Sequence, residues 1–502
     1  MLRRVFAAAL LIGIAPSLPG GCDRDADAPR ASEPEHHPVQ AEAAVVQPAK
    51  TPTPEEKAIR VEADGDIEID PDNGIAPESD IDIDTPRVEP PPLPDPIDTL
   101  VSRRGMMIHA EPSWSAPFRG RIAHGQPFHL YERVEGGDPA CKRKGWGRIG
   151  VSAYVCLQHA EPTKAKPVEI PFVHKGMLTP FHWARRRMQG EPPPRWKHRA
   201  SWERGSDPID TLDLEHDYAF THRKKTSRGR ILVDRNFRVV QEADVKRLEP
   251  SKFKGRDLKN EPVPEGNVLA WVVDWPGAVL LAEPREEAKS VGQAKFQTMV
   301  YLASGDPTVR RREKYFQVAT DPPSWVNGKE IRRWDPQAPP EGIGEAEIWI
   351  DIDLGQHVLT IYEGAVPTYA TVVASGSHKN PTPTGVFRIQ VKHAWGDMRS
   401  LPGEQDEPYY VEAVPWVMYF KGRYALHGTF WHNRFGFRLS HGCVNLAPQD
   451  AAHVYAVTRP DPLPGWSSAY EHRDELGTLL RIRRGEEVPE DKRREPRERR
   501  AN

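Results

Sequence analysis

The chain has 502 residues and a formal charge of −3, from 69 Lys or Arg and 72 Asp or Glu side chains. Hydrophobic residues make up 38% of the chain, and proline occupies 51 positions. The length predicts about three domains. The low apolar fraction excludes a multispan membrane protein, and four cysteines exclude a disulfide-dense miniprotein.

The charge is distributed unevenly along the chain. Residues 1–22 carry +2 and residues 23–97 carry −14, from 20 acidic and 6 basic side chains, which leaves +9 for residues 98–502. Residues 23–97 also contain 14 prolines. Proline blocks helices and sheet ladders, and net charge keeps a chain extended. We therefore expect a disordered acidic linker over residues 23–97, followed by a basic body.

The N-terminus predicts export. Two arginines and an apolar run over residues 5–15 precede the sequence Pro-Gly-Gly-Cys22. This run is too short to span a bilayer but fits a signal-peptide core. The small residues before Cys22 resemble a bacterial lipoprotein signal over residues 1–22, although Pro19 stands where that motif prefers Leu. Lipidation of Cys22 would anchor the protein to a membrane, inner or outer; ordinary cleavage is the alternative. Both place the body outside the cytoplasm, in the periplasm.

Export changes the interpretation of the other cysteines. Cys141 and Cys156 lie 15 positions apart in one β-rich segment, and we predict a disulfide between them. Two buried free thiols are the alternative. Cys443 is then unpaired, and an odd cysteine in an exported protein is a candidate reactive thiol.

Residues 98–160 are predicted to form short strands broken by Gly and Pro. The strand around Trp146, followed by one around Tyr154, resembles bacterial SH3-like domains found beside cell-wall enzymes. Residues 263–336 resemble a second, weaker copy of this domain.

The role of residues 161–262 stays open. Trp183, Trp196 and Trp202 lie there among many basic residues. These side chains would stack on sugar rings, form cation–π pairs or pack the domain itself. The export signal argues against nucleic-acid binding.

Residues 343–484 have the pattern of an all-β domain. Residues 347–354 alternate, with isoleucines on one face and Trp349, Asp351 and Asp353 on the other, which predicts a half-buried antiparallel strand. Further strands are predicted at 358–362, 369–374, 386–391, 409–414, 417–420 and 423–427. A helix is predicted after Pro448, with Asp450 as a charge at its start. We expect a β-sandwich with short helices, and a charged disordered tail over residues 485–502.

One block of this domain contains candidate catalytic residues. His427 ends a predicted strand, and the sequence Ser-His-Gly-Cys443-Val-Asn follows after a loop. A thiol attacks as the thiolate, and an adjacent His can lower the pKa of the thiol and return the proton to a leaving amine. A zinc site that combines these residues with His432 and His441 is disfavoured, because CxxC and HExxH spacings are missing.

These motifs closely resemble the catalytic signature of the L,D-transpeptidases of the YkuD type. The matching residues are His427-Gly-Thr, Trp431-His-Asn-Arg-Phe-Gly and Ser440-His-Gly-Cys-Val-Asn, together with Ala374-Ser-Gly and Thr382-Pro-Thr-Gly-Val-Phe. The resemblance covers residues 345–484 and implies a periplasmic enzyme without a cofactor that acts on peptidoglycan stem peptides. It implies transfer of a stem-peptide acyl group, with release of a terminal D-Ala, to an acceptor stem, an envelope protein or water.

The resemblance also implies residue roles. Cys443 would be the nucleophile and His427 the general base and acid. Gly428 stands where some members of the family carry a Ser that orients the base, so a backbone carbonyl would orient it here. Backbone N–H groups around His441, Gly442 and Cys443 would bind the oxyanion. Further expected roles are pocket shape for Ser440 and His441, loop fixation for Asn445, and a substrate groove lined by Trp431, Tyr419 and Phe420. Buried packing is the alternative for at least one of these three. A wall-binding lipoprotein that keeps the fold but is inert is the alternative.

Overall fold

The computed structural model describes residues 92–141, 143–400 and 408–488. The predicted signal peptide with Cys22, the linker up to residue 91 and the tail from residue 489 lie outside the described residues. In the described part strands dominate, and the α-helices are Arg199–Glu203 (α1) and Pro448–Val457 (α2). The predicted mainly β fold class is confirmed.

Residues 98–162 form eight short strands around one apolar core that includes Ile108, Phe128 and Ile149. The strands are β1 (Asp98–Ser102), β2 (Met106–His109), β3 (Phe118–Ile122), β4 (Pro127–Leu130), β5 (Glu132–Val134), β6 (Trp146–Gly150), β7 (Ala153–Cys156) and β8 (Ala160–Pro162). A disulfide joins Cys141 to Cys156, with the two Cα atoms 5.6 Å apart. The resemblance of this segment to SH3-like domains stays a prediction.

Residues 163–262 contain α1 and eight strands. The strands are β9 (His182–Arg186), β10 (Pro194–Trp196), β11 (Asp210–Thr211), β12 (His216–Thr226), β13 (Gly229–Asp234), β14 (Val239–Gln241), β15 (Val245–Leu248) and β16 (Arg256–Asp257). Trp183 and Trp202 are 0% and 3% exposed. Stacking on a sugar ring, one of the expected roles, is therefore wrong for both residues, which pack the interior instead.

Residues 263–336 form one further sheet around a core that includes Val272, Phe316 and Val326. Its strands are β17 (Val268–Val272), β18 (Gly277–Leu281), β19 (Ser290–Lys295), β20 (Met299–Leu302), β21 (Thr308–Arg310), β22 (Glu313–Val318), β23 (Ser324–Asn327) and β24 (Ile331–Arg333). Its likeness to a second SH3-like domain also stays a prediction.

The C-terminal part contains twelve strands and α2. They are β25 (Ile348–Asp353), β26 (Val358–Glu363), β27 (Val366–Val372), β28 (Ser375–Gly376), β29 (Gly385–Arg388), β30 (Val391–Arg399), β31 (Tyr410–Lys421), β32 (Tyr424–Gly428), β33 (Arg438–Ser440), β34 (Val444–Leu446), β35 (Trp466–Tyr470) and β36 (Leu479–Arg483). One sheet has the order β16-β27-β26-β25-β36-β29, and the other contains β35, β30, β31, β32 and β34. Side chains from both sheets and from α2, such as Ile350, Met418 and Val454, share one core. This arrangement is the predicted sandwich.

The strand at 348–353 differs from the prediction. It is buried on both faces and pairs in parallel with β36 as well as antiparallel with β26. Asp351 accepts hydrogen bonds from Arg481 at 2.6 Å and Arg483 at 2.8 Å. Ion pairing within the sheet therefore lets the acidic face be buried, which alternation alone does not reveal. The strands predicted at 409–414 and 417–420 are the single strand β31.

Asp450 lies in the first turn of α2, as predicted, and its buried carboxylate also holds neighbouring segments by hydrogen bonds. It is 0% exposed and accepts hydrogen bonds from Gly255 N–H at 2.8 Å, the Tyr369 hydroxyl at 2.7 Å and the Thr371 hydroxyl at 2.5 Å. Burial raises the pKa of the Asp450 carboxyl to about 6.

The predicted disordered tail over residues 485–502 starts too early, because Glu486 pairs with Lys314 and Arg333.

Upstream strands extend both sheets of the sandwich. β3 pairs with β35, β12 pairs in parallel with the start of β31, and β16 pairs with β27. The described residues accordingly belong to one compact unit.

Candidate active site

The candidate site lies at the edge of two parallel strands, β32 and β34. Leu426 is opposite Val444 and His427 is opposite Asn445. Because side chains alternate along a strand, Cys443, one residue before β34, shares a face with Asn445 and with His427. The fold therefore brings the predicted nucleophile and the predicted base to one face of one sheet.

The imidazole of His427 is buried, with 2% of the residue exposed. Its Nδ1 lies 3.3 Å from the carbonyl oxygen of Gly428. In the tautomer that donates this hydrogen bond, Nε2 carries no proton and can accept one. Burial lowers the pKa of His427 to about 4, so the ring is neutral at physiological pH.

Gly428 leaves little room for a side chain beside the base. A Cβ at this position would lie 3.0 Å from the ring of Trp416 and 3.1 Å from Cγ of Pro415. The backbone carbonyl of Gly428 is thus the group near Nδ1, as expected for a chain that lacks a Ser here.

Cys443 is half-buried and is the free cysteine among the described residues. Its Sγ lies 3.7 Å from the carbonyl oxygen of Arg423. Burial raises the pKa of the Cys443 thiol, while the backbone of Ala425 and the charge of Arg423 act in the opposite direction. The expectation that a neighbouring His holds the pKa of this thiol low is therefore wrong for the resting site. Both partners are neutral, and the proton has to move when the sulfur attacks.

A tight turn over residues 440–443 carries the nucleophile. The hydroxyl of Ser440 accepts the Gly442 N–H at 3.1 Å and donates to the Cys443 carbonyl at 2.5 Å. Thr382 donates to the Gly442 carbonyl at 2.9 Å and accepts the Gly376 N–H at 2.8 Å. The two sequence landmarks of the domain are therefore hydrogen-bonded to each other.

Gly442 is required by this turn. Its φ is +112°, and a Cβ would lie 2.4 Å from the ring of Tyr424. An L side chain is strained in that conformation and would collide with the aromatic ring.

These hydrogen bonds reduce the number of N–H groups that remain available to bind the oxyanion. The Gly442 N–H already donates to Ser440, so it is a poor donor to a substrate oxygen. Among the described residues, the N–H groups of His441 and Cys443 donate no hydrogen bond, which leaves these two as the candidate oxyanion donors. The His441 ring is exposed and stacks on Tyr409, with the ring centroids 5.3 Å apart.

Asn445 ties the strand to the loop that follows His427. Its side-chain amide lies 3.1 Å from Nε2 of His432, whose Nδ1 accepts the Arg434 N–H at 3.2 Å. Its backbone pairs with Ala374.

The three predicted groove residues have different environments. Trp431 is half-buried and stacks on His427, with centroids 5.7 Å apart. Tyr419 is half-buried and lies on the same sheet face as Cys443. Phe420 is 1% exposed and belongs to the core between the sheets, so it does not line the groove and has the buried packing expected for at least one of the three. Adjacent residues of a strand point to opposite faces, which explains the difference.

In the described part of the chain, no group of three or more His, Cys, Asp or Glu side chains is arranged to hold a metal ion. His432, a member of the zinc set considered above, is instead held by Asn445 and Arg434. None of the described helices has the length and apolar character to cross a membrane.

Two contacts of the site had no sequence signal. The thiol of Cys443 contacts the backbone carbonyl of Arg423. Every residue type has such a carbonyl, so the identity of residue 423 does not predict this contact. Tyr424 covers Gly442 across a parallel strand pair that no local pattern predicts. A third contact, between His432 and Asn445, also lacks a sequence signal, because the sequence pattern suggests His432 only as a metal ligand.

Residues 347–467 match the family model YkuD, the L,D-transpeptidase catalytic domain. Among solved structures, the chain is similar to a mutant L,D-transpeptidase of Enterococcus faecium, with 21% identity over 27% of this chain and 50% of that chain and a TM-score of 0.22. It is also similar to an L,D-transpeptidase from Mycobacterium smegmatis, with 19% identity over 37% and 90% and a TM-score of 0.23. A third is L,D-transpeptidase 3 from Mycobacterium tuberculosis with a faropenem-derived adduct, with 18% identity over 32% and 73% and a TM-score of 0.23.

The chain spans half the length of the Enterococcus faecium structure. No curated protein matches the chain significantly. The family match coincides with the sandwich that carries His427 and Cys443. Residues 347–467 are therefore the part of the chain that is similar to the L,D-transpeptidase catalytic domain of the YkuD type.

Proposed function

We propose that the protein is a peptidoglycan L,D-transpeptidase that uses Cys443 as its nucleophile. The observation that carries this proposal is the shared sheet face of Cys443 and His427, fixed by the register between β32 and β34. The family match of residues 347–467 supports the same chemistry.

The reaction starts from a neutral thiol and a neutral imidazole. Nε2 of His427 takes the Cys443 proton as the sulfur attacks the carbonyl carbon of the L-centre residue before the terminal D-Ala. The N–H groups of His441 and Cys443 hold the developing oxyanion. The tetrahedral carbon then expels D-Ala, whose amine takes the proton from His427, and a thioester remains on Cys443.

The second half-reaction transfers the acyl group. An acceptor amine loses a proton to His427 and attacks the thioester, and Cys443 leaves and recovers that proton. A stem-peptide amine gives a wall cross-link, and an amine of an envelope protein gives protein attachment. Water in place of the amine gives carboxypeptidase activity. Labelled walls from cells with and without the protein, digested and compared, distinguish these acceptors.

We also propose export and lipid anchoring through Cys22, with a linker that places the domain near the wall. Labelled fatty acid should enter the wild-type protein and not the Cys22→Ala variant. Retention of label in that variant would contradict anchoring at Cys22.

Acylation by a carbapenem tests the proposed nucleophile, because a thiolate opens its strained β-lactam amide. Intact-mass measurement should find one adduct on wild-type protein, located at Cys443, and none on Cys443→Ala. His427→Ala should react more slowly by about 10²- to 10⁴-fold. A folded protein with a free thiol and no adduct would support the inert wall-binding lipoprotein instead.

A further inference from the structure

Residues 161–262 reach the candidate base through a chain of aromatic rings. Trp183 stacks on Phe430, with centroids 3.8 Å apart and planes at 11°. Phe430 meets Trp431 edge-on at 4.9 Å and 88°. Trp431 in turn stacks on His427 at 5.7 Å and 28°. Consecutive ring contacts therefore connect β9 to the imidazole.

Trp183 is held firmly at the far end of this chain. It is 0% exposed, and its strand is paired on both sides, with Ala219 of β12 and Leu248 of β15. Its Nε1 donates to the Glu412 carbonyl at 2.8 Å. The Glu412 carboxylate accepts the Ala219 N–H at 2.9 Å, which ties the same strands to β31. The indole is thus a fixed surface.

The loop of residues 429–437, between β32 and β33, contains no strand or helix. Upstream residues also hold its far end. Gln297 donates to the Asn433 side chain at 2.8 Å, and Arg332 donates to the Gly436 carbonyl at 2.8 Å. The loop is therefore held by contacts from residues 161–336, and Trp183 holds the end nearest the base.

Hydrogen bonding holds the imidazole ring of His427 only weakly. Among the described residues, its side chain makes a 3.3 Å contact with the adjacent Gly428 carbonyl, which is longer than the usual N–H···O range. The orientation of the ring then depends on packing, and Trp431 is the ring stacked on it. Trp431 is half-buried and packs edge-on against Phe430, which stacks on Trp183, so the indole of Trp183 supports the position of Trp431.

We propose that Trp183 is a positioning residue for His427, acting through Phe430 and Trp431. This rests on the proposed function, because it assigns a role in proton transfer from Cys443. Loss of the indole would leave the fold and the thiol in place but would let the imidazole move. A displacement of about 1 Å at a reacting group can lower a rate by about 10²-fold.

The test compares Trp183→Leu with Trp183→Phe in the full chain. The rate of carbapenem acylation is measured from pH 6 to 10 and normalised to titrated free thiol. Trp183→Leu should be slower by about 10- to 100-fold at pH 7. This deficit should shrink toward pH 10, where hydroxide ionises the thiol without a base. Trp183→Phe keeps a stacked ring and should keep most of the rate. The neighbouring groups Tyr419, Arg423, His432 and Arg434 are the same in all variants.

Trp202→Leu is the matched control. Trp202 is a buried tryptophan of the same region, but it packs with Ile231 and Val239 rather than with Phe430. Its substitution should leave the rate per free thiol unchanged at every pH. An equal deficit in Trp202→Leu, or a deficit in Trp183→Leu that does not depend on pH, would overturn the proposal.

Two further measurements separate this proposal from the proposed function. Trp183→Leu combined with His427→Ala should be no slower than His427→Ala alone, because positioning needs the imidazole; additive losses would contradict it. If wild-type protein forms no adduct, the proposed function fails, and positioning is judged from the imidazole resonances of His427. Those resonances should shift in Trp183→Leu and not in Trp202→Leu, and unchanged resonances would overturn the inference.

Discussion

The hydroxyl of Ser440 donates a 2.5 Å hydrogen bond to the carbonyl of Cys443, three residues further along the chain. This bond closes the turn that places the thiol at the edge of β34, beside the strand that ends in His427. The turn fixes the backbone of the nucleophile, while burial keeps the thiol and the imidazole neutral. In the resting site the proton therefore stays on Sγ of Cys443, and it moves to His427 only when the sulfur attacks a substrate.

The acid limb of the pH–rate profile reports on His427. A protonated imidazole cannot accept the thiol proton, so acylation should fall as pH drops through the pKa of His427, which burial lowers to about 4. The carbapenem acylation rate should therefore hold down to about pH 5 and reach half its plateau near pH 4. A midpoint near 6.5, the ordinary value for His, would contradict a buried neutral base.

Gly442 and Gly422 form a matched pair for the turn. Both have positive φ, +112° and +49°, but a Cβ on Gly442 would meet the Tyr424 ring whereas a Cβ on Gly422 would meet nothing within 4 Å. Gly442→Ala should lower carbapenem acylation by about 100-fold, because the nucleophile moves. Gly422→Ala should keep the rate and lower the free energy of unfolding by about 1 kcal/mol. Equal acylation by the two variants would show that the turn tolerates a side chain.

A Ser at position 428 should not improve this enzyme. A Cβ there would press on Trp416 and Pro415, so Gly428→Ser should lower the free energy of unfolding by about 1–3 kcal/mol. Gly396→Ser is the control, because its Cβ would lie 3.8 Å from Val417, an ordinary contact. Urea denaturation measures both. Faster acylation by Gly428→Ser at unchanged stability would mean that the Gly428 carbonyl is not the group that orients the base.

Asp450 should make stability depend on pH in a direction unusual for a carboxylate. Its pKa is about 6 in the folded state and about 3.9 in an unfolded chain, so protonation favours folding. Its contribution is complete below about pH 4 and is lost as pH rises through 6, a change on the order of 3 kcal/mol. Asp450→Asn cannot titrate, so its free energy of unfolding should fall less between pH 4 and pH 6.5. Parallel curves for the two proteins would contradict a raised pKa.

Local sequence patterns predict the candidate catalytic residues, but they do not predict the side chains from distant strands that pack around them. The spacing from His427 to Cys443 and the alternation in residues 347–354 are local features, so they predict a nucleophile, a base and a strand. Burial of both faces of β25 depends on Arg481 and Arg483, which come from a strand more than a hundred residues away. A sequence pattern does not show which distant side chain neutralises a carboxylate.

The same limit applies to the electrostatics of the site. The raised pKa of Cys443 follows from burial against residues such as Tyr419 and Trp431, which depends on packing across several strands. The contact between Trp183 and Phe430 joins two elements that are far apart in the chain. The sequence shows Trp183 as one of three tryptophans among many basic residues, but only the fold shows that it packs against the loop beside His427.

The most direct test of the central claim uses a stem tetrapeptide that ends in D-Ala, with a labelled amine as acceptor. Wild-type protein should release D-Ala and join the acceptor to the remaining tripeptide in equal amounts, measured by mass spectrometry, and Cys443→Ala should do neither. Release of D-Ala without capture of the acceptor would indicate hydrolysis. No release of D-Ala by a folded protein with a free Cys443 thiol would contradict the assignment as a transpeptidase.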